Sequence, residues 1–303
     1  MNLFNSRELY LEACHKSKDL HAMTNDERIK LQAHLRKMYV AIENVCDQHG
    51  LNVMLAYGSV IGTLRHQGFI PWDDDIDLFM PRDDYDKFIN LYAEELPQRY
   101  KIFSPNSKNG PIYRFAKVVD TKTRFLIPGA DEKSEKHGIF VDIFPLENSS
   151  KNLYTIKLQR LKACFLMYIA TSVANYESKN EKVKALMCIS FAGRFNYYFR
   201  IFWGWLFSYY KSEKWYDIFD RSVSGHSFTG YYNIPSAGSC MRYFMPISKD
   251  MYIPARKAKF DDIEVYIPKE AEMITEMEYG DWKRIPSEKE RWMHFIEKIK
   301  FDV

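Results

Sequence analysis

Gly68-Phe-Ile-Pro-Trp-Asp-Asp-Asp-Ile-Asp-Leu-Phe-Met-Pro81 sets four aspartates, Asp73, Asp74, Asp75 and Asp77, among apolar residues. Strands tend to exclude Asp, yet Ile76, Leu78, Phe79 and Met80 read as one. Side chains alternate across a strand, so Asp73, Asp75 and Asp77 are expected to share a face. Carboxylates gathered on one face repel each other and raise each other's pKa unless a cation sits among them. Their oxygens are hard ligands that suit Mg²⁺ or Mn²⁺. The stretch therefore reads as a divalent-metal site on a rigid strand, the plain alternative being a solvated acidic turn.

The preceding residues sharpen this reading. Leu51-Asn-Val-Met-Leu-Ala-Tyr57 has the pattern of a buried strand, Gly58-Ser59 breaks it, and Val60-Ile-Gly-Thr-Leu-Arg-His66 is helical in character. A helix N-terminus offers backbone N–H groups and partial positive charge, both suited to phosphate. Gly58 lets the backbone approach a ligand closely, and Ser59 can cap the helix or donate to a phosphate oxygen. Arg65 and His66 add charge nearby. Further on, Gly138-Ile-Phe-Val-Asp-Ile-Phe-Pro145 is another strand pattern with Asp142 in its middle. An acid among Phe140, Val141, Ile143 and Phe144 is costly to bury without a partner. Beside a metal it is satisfied, or it serves as the base that takes a proton from an attacking hydroxyl. A phosphate cradle beside carboxylate strands suits phosphoryl or nucleotidyl transfer, which depends on positioning and charge neutralisation.

With these residues in view, a family resemblance emerges. Tyr57-Gly-Ser-Val-Ile-Gly-Thr-Leu-Arg65 followed by Trp72-Asp-Asp-Asp-Ile-Asp77 resembles the signature of the LicD family, phosphorylcholine transferases and relatives akin to fukutin and fukutin-related protein. Tyr113-Arg-Phe-Ala-Lys-Val-Val-Asp120, Gly138–Leu146, Phe260–Pro268 and Tyr279-Gly-Asp-Trp282 are similar to further elements of that family. The resemblance implies an α/β (α+β) fold: a nucleotidyltransferase-type mixed sheet flanked by helices, with an added, mostly helical lobe. It implies transfer of a phospho-alcohol from a CDP-activated donor, CDP-choline first among them, to a glycan acceptor of the cell surface such as teichoic acid, capsule or lipopolysaccharide, free or lipid-linked, with release of CMP. Gly58, Ser59, Asp75, Asp77 and Asp142 match the family motif, and Asp73 is an additional acid that fukutin-related proteins also use. The expected roles follow: Asp75, Asp77 and Asp142 catalytic; Asp73, Asp75, Asp77 and Asp142 around Mg²⁺ or Mn²⁺; Gly58, Ser59, Arg65 and Lys117 toward the donor phosphates. Trp72, Tyr113, Phe115 and Tyr243 are possible walls for a choline headgroup, although packing explains aromatic residues equally well. Two other readings stay open, a nucleotidyltransferase releasing pyrophosphate from an NTP and an inactive scaffold in glycan assembly.

Composition sets outer bounds. The 303 residues can bury a large core, and 46% hydrophobic with 27% charged residues is ordinary for a globular enzyme. A net charge of +3 is too small to argue for nucleic acid. The N-terminal stretch lacks the apolar core of a secretory signal. Cys14, Cys46, Cys164, Cys188 and Cys240 are scattered without Cys-x-x-Cys spacing and read as reduced core thiols. A cytoplasmic enzyme is expected, with peripheral contact at the inner face of a membrane as an open question.

Four segments are expected: a helical stretch 1–50, with Thr24-Asn-Asp-Glu27 as a capping box; a catalytic core 51–150; a helical insert 151–221, aromatic and basic; and a segment 222–303 packing back on the core. Ile29, Ala33, Met38, Ile42 and Val45 form the expected apolar stripe of the first. Tyr113–Val119 and Arg124–Ile127 read as a hairpin. In the insert, Phe191–Tyr210 is strongly aromatic but interrupted by Arg194 and Arg200, which argues against a membrane span. It reads either as a lobe packed on the core or as an interfacial helix.

Overall fold

The computed structural model describes residues 6–225, 230–237, 245–291 and 294–302. Two helices lead in, α1 (Ser6–Lys16) and α2 (Asn25–Gln48). The capping box forms as expected: Thr24 accepts from the Glu27 backbone and Glu27 reaches back to the Thr24 N–H. The buried stripe of α2 is Leu31, Leu35, Met38, Ile42 and Val45, at a 4-3-4-3 spacing that keeps one face inward. Ile29, read from the sequence as part of that stripe, is instead exposed.

The core alternates strands and helices: β2 (Met54–Leu55), following a short β1 (His21–Ala22), then α3 (Tyr57–His66), β3 (Asp77–Pro81), α4 (Arg82–Leu91), β4 (Tyr100–Phe103), β5 (Ala116–Asp120), β6 (Arg124–Leu126) and β7 (Ile139–Asn148). The main sheet is mixed, in the order β2-β3-β7-β5-β4, extended at the end of β7 by β8 (Tyr231–Asn233) and β9 (Ile247–Ser248). The β3–β7 pair is parallel and its neighbours are antiparallel. Alternation divides the sheet. Leu78, Met80, Val141 and Ile143 face one core with α2, while Phe79, Phe144 and Phe115 face a second with Tyr57 and Tyr252.

Three expectations change. Strand β3 starts at Asp77, so Asp73–Ile76 lead into it outside the ladder. The strand before α3 is short and the helix begins at Tyr57, which places Gly58 and Ser59 in its first turn. The expected hairpin does not form: both edges of β5 are taken by β4 and β7, so β6 pairs with β13 (Lys298–Lys300).

The insert is helical, with α5 (Leu153–Ser178), α6 (Glu181–Met187), α7 (Phe191–Leu206) and α8 (Ser212–Val223). It has an apolar cluster of its own around Ile169, Val173, Trp215 and Phe219. The chain then returns through the hairpin β10 (Arg256–Phe260) and β11 (Ile263–Ile267), helix α9 (Ala271–Tyr279) and β12 (Phe295–Ile296). Cys14, Cys46 and Cys188 are free thiols, whereas Cys164 is disulfide-bonded, which its isolated position in the sequence does not predict. Cys240 lies outside the described residues.

A buried ion network ties the insert to the core. Arg82, in the first turn of α4, donates to Glu147 of β7 through Nε at 3.0 Å and also through Nη2, and to Asp220 of α8 at 2.9 Å. Asn106 donates to the other Asp220 oxygen at 2.7 Å. Removing one member of a buried ion network leaves uncompensated charge, at a cost of about 3–5 kcal/mol. Arg82→Met is therefore expected to lower stability by about that amount at pH 8. Protonation relieves an orphaned carboxylate, so the deficit shrinks as pH falls toward 5. Urea denaturation at the two pH values checks both the size and the direction.

Candidate active site

Register assembles the site. Asp77 on β3 lies directly opposite Asp142 on β7, and Asp142 directly opposite Lys117 on β5. Residues in register on adjacent strands point to the same face. Lys117, Asp142 and Asp77 thus form a row on the face that also carries Phe79, Phe144 and Phe115. Lys117 Nζ donates to Asp142 Oδ1 at 2.6 Å and sits 3.6 Å from the centre of the Phe140 ring.

Helix α3 closes over the end of this row. Its N-cap is Ala56, whose N–H bonds the Asp77 carbonyl at 2.8 Å. Ser59 does not cap the helix; its Oγ accepts the Asp77 N–H at 3.1 Å, locking α3 to β3. Tyr57 enters the helix at φ 48°, a left-handed conformation costly for a non-glycine residue and common at functional sites. Its ring is held edge-on to Phe79 and Phe144 at 4.8 and 5.3 Å. A Cβ on Gly58 would lie 3.3 Å from the Asp73 carboxylate, so Gly58 is where the helix start meets the acids. At Gly62 a Cβ would lie 2.5 Å from the Gly68 carbonyl, so only glycine lets α3 pack on the backbone that leads into the aspartates.

Asp74 is taken up by the C-terminal segment. It is buried, accepts the His294 backbone N–H at 2.7 Å, and binds Nδ1 of the same histidine at 2.8 Å. The C-terminal segment is thereby fastened to the aspartate run. Sequence reading did not single out His294. Its signal is faint, one histidine 220 residues from its partner. Among the described residues, the three donors with ligand atoms all within 4.8 Å of one another are Asp74, Asp75 and His294.

Arg65 holds the same segment. Its Nη1 donates to the carbonyls of Trp282 and Arg284 at 2.7 and 3.0 Å, so in this arrangement it braces the C-terminal loop. The suggested aromatic walls are not gathered into one cage. Trp72 is stacked by Arg291, with the guanidinium carbon 4.2 Å from the ring centre, whereas Tyr113 packs against Phe115 and beneath Arg114. Tyr243 lies outside the described residues.

Charge dominates the cleft. Burial, then the Asp75 and Asp74 charges, raise the Asp73 pKa. Burial and the charges of Asp75, Asp142 and Asp73 do the same to Asp77. Asp75 is pushed up to about 6 by burial and Asp74. Burial also raises Asp142, with Lys117 pulling the other way. At His294 burial opposes the proton, but Asp74 and then Asp75 outweigh it and raise its pKa to about 9. Lys117 and His294 each neutralise one acid. Among the described residues, no basic side chain hydrogen-bonds Asp73, Asp75 or Asp77. The compact donor group, Asp74, Asp75 and His294, thus mixes carboxylate oxygens with one ring nitrogen, and the carboxylates beside it that lack a basic partner suit a hard divalent cation.

A mixed sheet flanked by helices, with acids in register beside a helix N-terminus, defines a nucleotidyltransferase-type domain. Residues 50–194, just under half of the chain, match the family described as LicD/FKTN/FKRP, nucleotidyltransferase domain. The chain is 33% identical over 127 residues to the lipopolysaccharide cholinephosphotransferase LicD of Haemophilus influenzae. That match spans 40% of this chain and 46% of the relative, less than half the relative's length.

The sign of the electrostatics is testable. A carboxylate with a folded pKa above its unfolded value contributes stability at low pH that is lost as pH rises through the folded value. For Asp75, moving from the usual 3.8 to about 6 is worth roughly 3 kcal/mol at an upper limit. The metal-free protein is thus expected to lose stability between pH 4 and 7 through these groups. Asp75→Asn in EDTA should melt higher than wild type at pH 8 and have lost any Mg²⁺-induced shift. A melting series over pH, with EDTA or Mg²⁺, decides this.

Proposed function

We propose that the chain is a Mg²⁺- or Mn²⁺-dependent phosphotransferase that moves a phospho-alcohol, phosphocholine first among the candidates, from a CDP-linked donor to a sugar hydroxyl of a cell-surface glycan. The observation that carries the reading is the in-register row Lys117–Asp142–Asp77 beside the start of α3. The relative's name, a lipopolysaccharide cholinephosphotransferase, supports phosphocholine as the group and a glycan as the acceptor.

Each residue then has a task. Asp75 and Asp77 would hold the divalent ion, with Asp73 and His294 at its margin. Bound there, the ion supplies charge neutralisation for the pyrophosphate and a template for in-line attack. The start of α3, where the Ser59 and Val60 N–H groups return to the Ala56 carbonyl, would present its partial positive charge to a phosphate, and Gly58 keeps that approach open. Asp142 takes the proton of the acceptor hydroxyl as its oxygen attacks the β-phosphorus. The new P–O bond forms as the bond to CMP breaks. Lys117, bonded to Asp142, would stabilise the charge that develops on the phosphates. We place this reaction in the cytoplasm, where a nucleotide-activated donor is available.

Loss of a positioned base costs roughly 10²–10⁴-fold in rate. Asp142→Asn is expected to reduce CMP formation from CDP-choline by that order while still binding the donor. Gly58→Ala, which sets a methyl group 3.3 Å from the Asp73 carboxylate, should weaken donor binding more than it weakens the fold. With Mg²⁺ and CDP-choline at ~100 times its Kd, wild type should gain about 2.7 kcal/mol of stability. Release of pyrophosphate from CTP, with no CMP from any CDP-alcohol, would replace this reading with nucleotidyl transfer. No turnover from any nucleotide, together with a normal cellular glycan in an Asp75→Asn strain, would leave a scaffold.

A further inference from the structure

We propose that the outer face of α5 and α7 seats on the surface of an anionic lipid bilayer, holding the enzyme at the membrane as a peripheral protein. The inference rests on the insert alone and stands apart from the identity of the donor.

The insert has two kinds of helix surface. On α7, Ala192, Asn196, Tyr197 and Gly204 turn inward. Arg200 also faces inward, with a hydrogen bond to Thr171 at 3.1 Å and its guanidinium 4.9 Å from the Tyr168 ring centre. The opposite side shows Phe191, Phe195, Tyr198, Phe202 and Trp205, at a 4-3-4-3 spacing that forms one continuous stripe. Phe191 is 73% and Trp205 57% exposed. The same spacing recurs on α5 at Tyr154, Leu158, Leu161 and Phe165, with Leu161 70% exposed. A lobe that merely packed on the core would have hidden these side chains.

The two stripes join. Phe165 of α5 meets Phe207 at 6.0 Å between ring centres, Phe207 stacks on Trp203 at 5.9 Å, and Trp203 leads to Phe202 at 6.1 Å. Isolated exposed apolar residues are normal on soluble proteins, but a contiguous band of this kind marks an interaction surface.

Charge identifies the occupant. Residues 151–211 contain ten Lys and Arg but two Asp and Glu, a net +8, whereas the rest of the chain is −5. Lys157, Lys162 and Arg194 are exposed beside the stripes. Phe191, Arg194, Phe195, Tyr198 and Phe199 line a cavity of about 380 Å³, where a cation stands among aromatic rings. Trp and Tyr beside Lys and Arg suit the headgroup level of a membrane, with aromatic bodies in the acyl boundary and cations on anionic lipids. No helix among the described residues is long and apolar enough to cross a membrane, so this contact lies in the plane of the interface. A second copy of the chain would meet the same excess of positive charge and be repelled.

The test is vesicle co-sedimentation of the whole chain at 50 and 300 mM NaCl. One set of vesicles is 30% phosphatidylglycerol in phosphatidylcholine and the other is phosphatidylcholine alone. Wild type is expected to bind the anionic vesicles at low salt and to bind the neutral ones at least tenfold more weakly. Leu161→Glu/Trp205→Glu should abolish binding. Lys157→Glu/Lys162→Glu/Arg194→Glu should weaken it by about a hundredfold, since each basic group at the surface contributes several-fold. Circular dichroism and turnover of a water-soluble acceptor should be unchanged in both, which separates failure here from failure of the proposed chemistry. Wild type remaining in the supernatant at low salt overturns the proposal, as does equal binding by the Leu161/Trp205 variant. Sedimentation of wild type as a dimer that the same variant splits also overturns it, assigning the face to a second copy.

Discussion

Asp77 and Asp142 lie directly across from each other on parallel strands, and their mutual repulsion is the constraint to which the rest of the site answers. Like charges this close cannot both ionise cheaply away from bulk water. The protein meets the problem with a rigid sheet, a lysine in the same row and a histidine brought from the far end of the chain. Those two cations offset part of the charge, and the residual deficit is of the kind a divalent ion would fill. A site made fully neutral by its own side chains would be more stable and would have no reason to bind one. The fold carries electrostatic strain where these acids meet, a cost that functional sites commonly impose.

The scaffold holds that strain by spreading it over independent supports. Ser59 fixes α3 to β3, and Gly62 lets the helix pack on the backbone leading into the aspartates. Asp74 binds His294, so one of the four aspartates between residues 73 and 77 has a basic partner of its own. Tyr57 accepts an unfavourable backbone conformation because its ring is wedged between Phe79 and Phe144. On the opposite edge, the Arg82–Glu147–Asp220 network sets where the helical lobe stands relative to the sheet. Two buried acids around one arginine recognise a single docking geometry better than an apolar contact would, because any displacement leaves a charge unpaired.

The two faces of the insert differ. Its inner face carries Ile169, Val173 and Phe219 in a core of its own, and its outer face carries rings and cations that this core does not use. The nucleotidyltransferase-type domain and the aromatic band are thus physically separate features. One carries the acids of the proposed donor site, while the other is suited to a lipid boundary. Their connection through the buried network couples the orientation of the cleft to that of the band.

Much of this was legible in the sequence, because much of it is local. The capping box at Thr24, the helical insert, the Phe260–Ile267 strand pair and the clustering of acids around Asp75, Asp77 and Asp142 follow from periodicity and from the cost of stranding Asp among apolar residues. Such signals act within a few residues and survive without knowledge of the fold. The tertiary structure decided the register that sets Lys117 beside Asp142, the pairing of β6 with β13 in place of a hairpin, and the arrival of His294 at Asp74. It also decided which side of the Phe191–Leu206 helix stays outside, where the sequence left packing and interface open. These are contacts between positions up to 220 residues apart. No local preference specifies them, because each depends on which strand edges and helix faces remain free once the others have been paired.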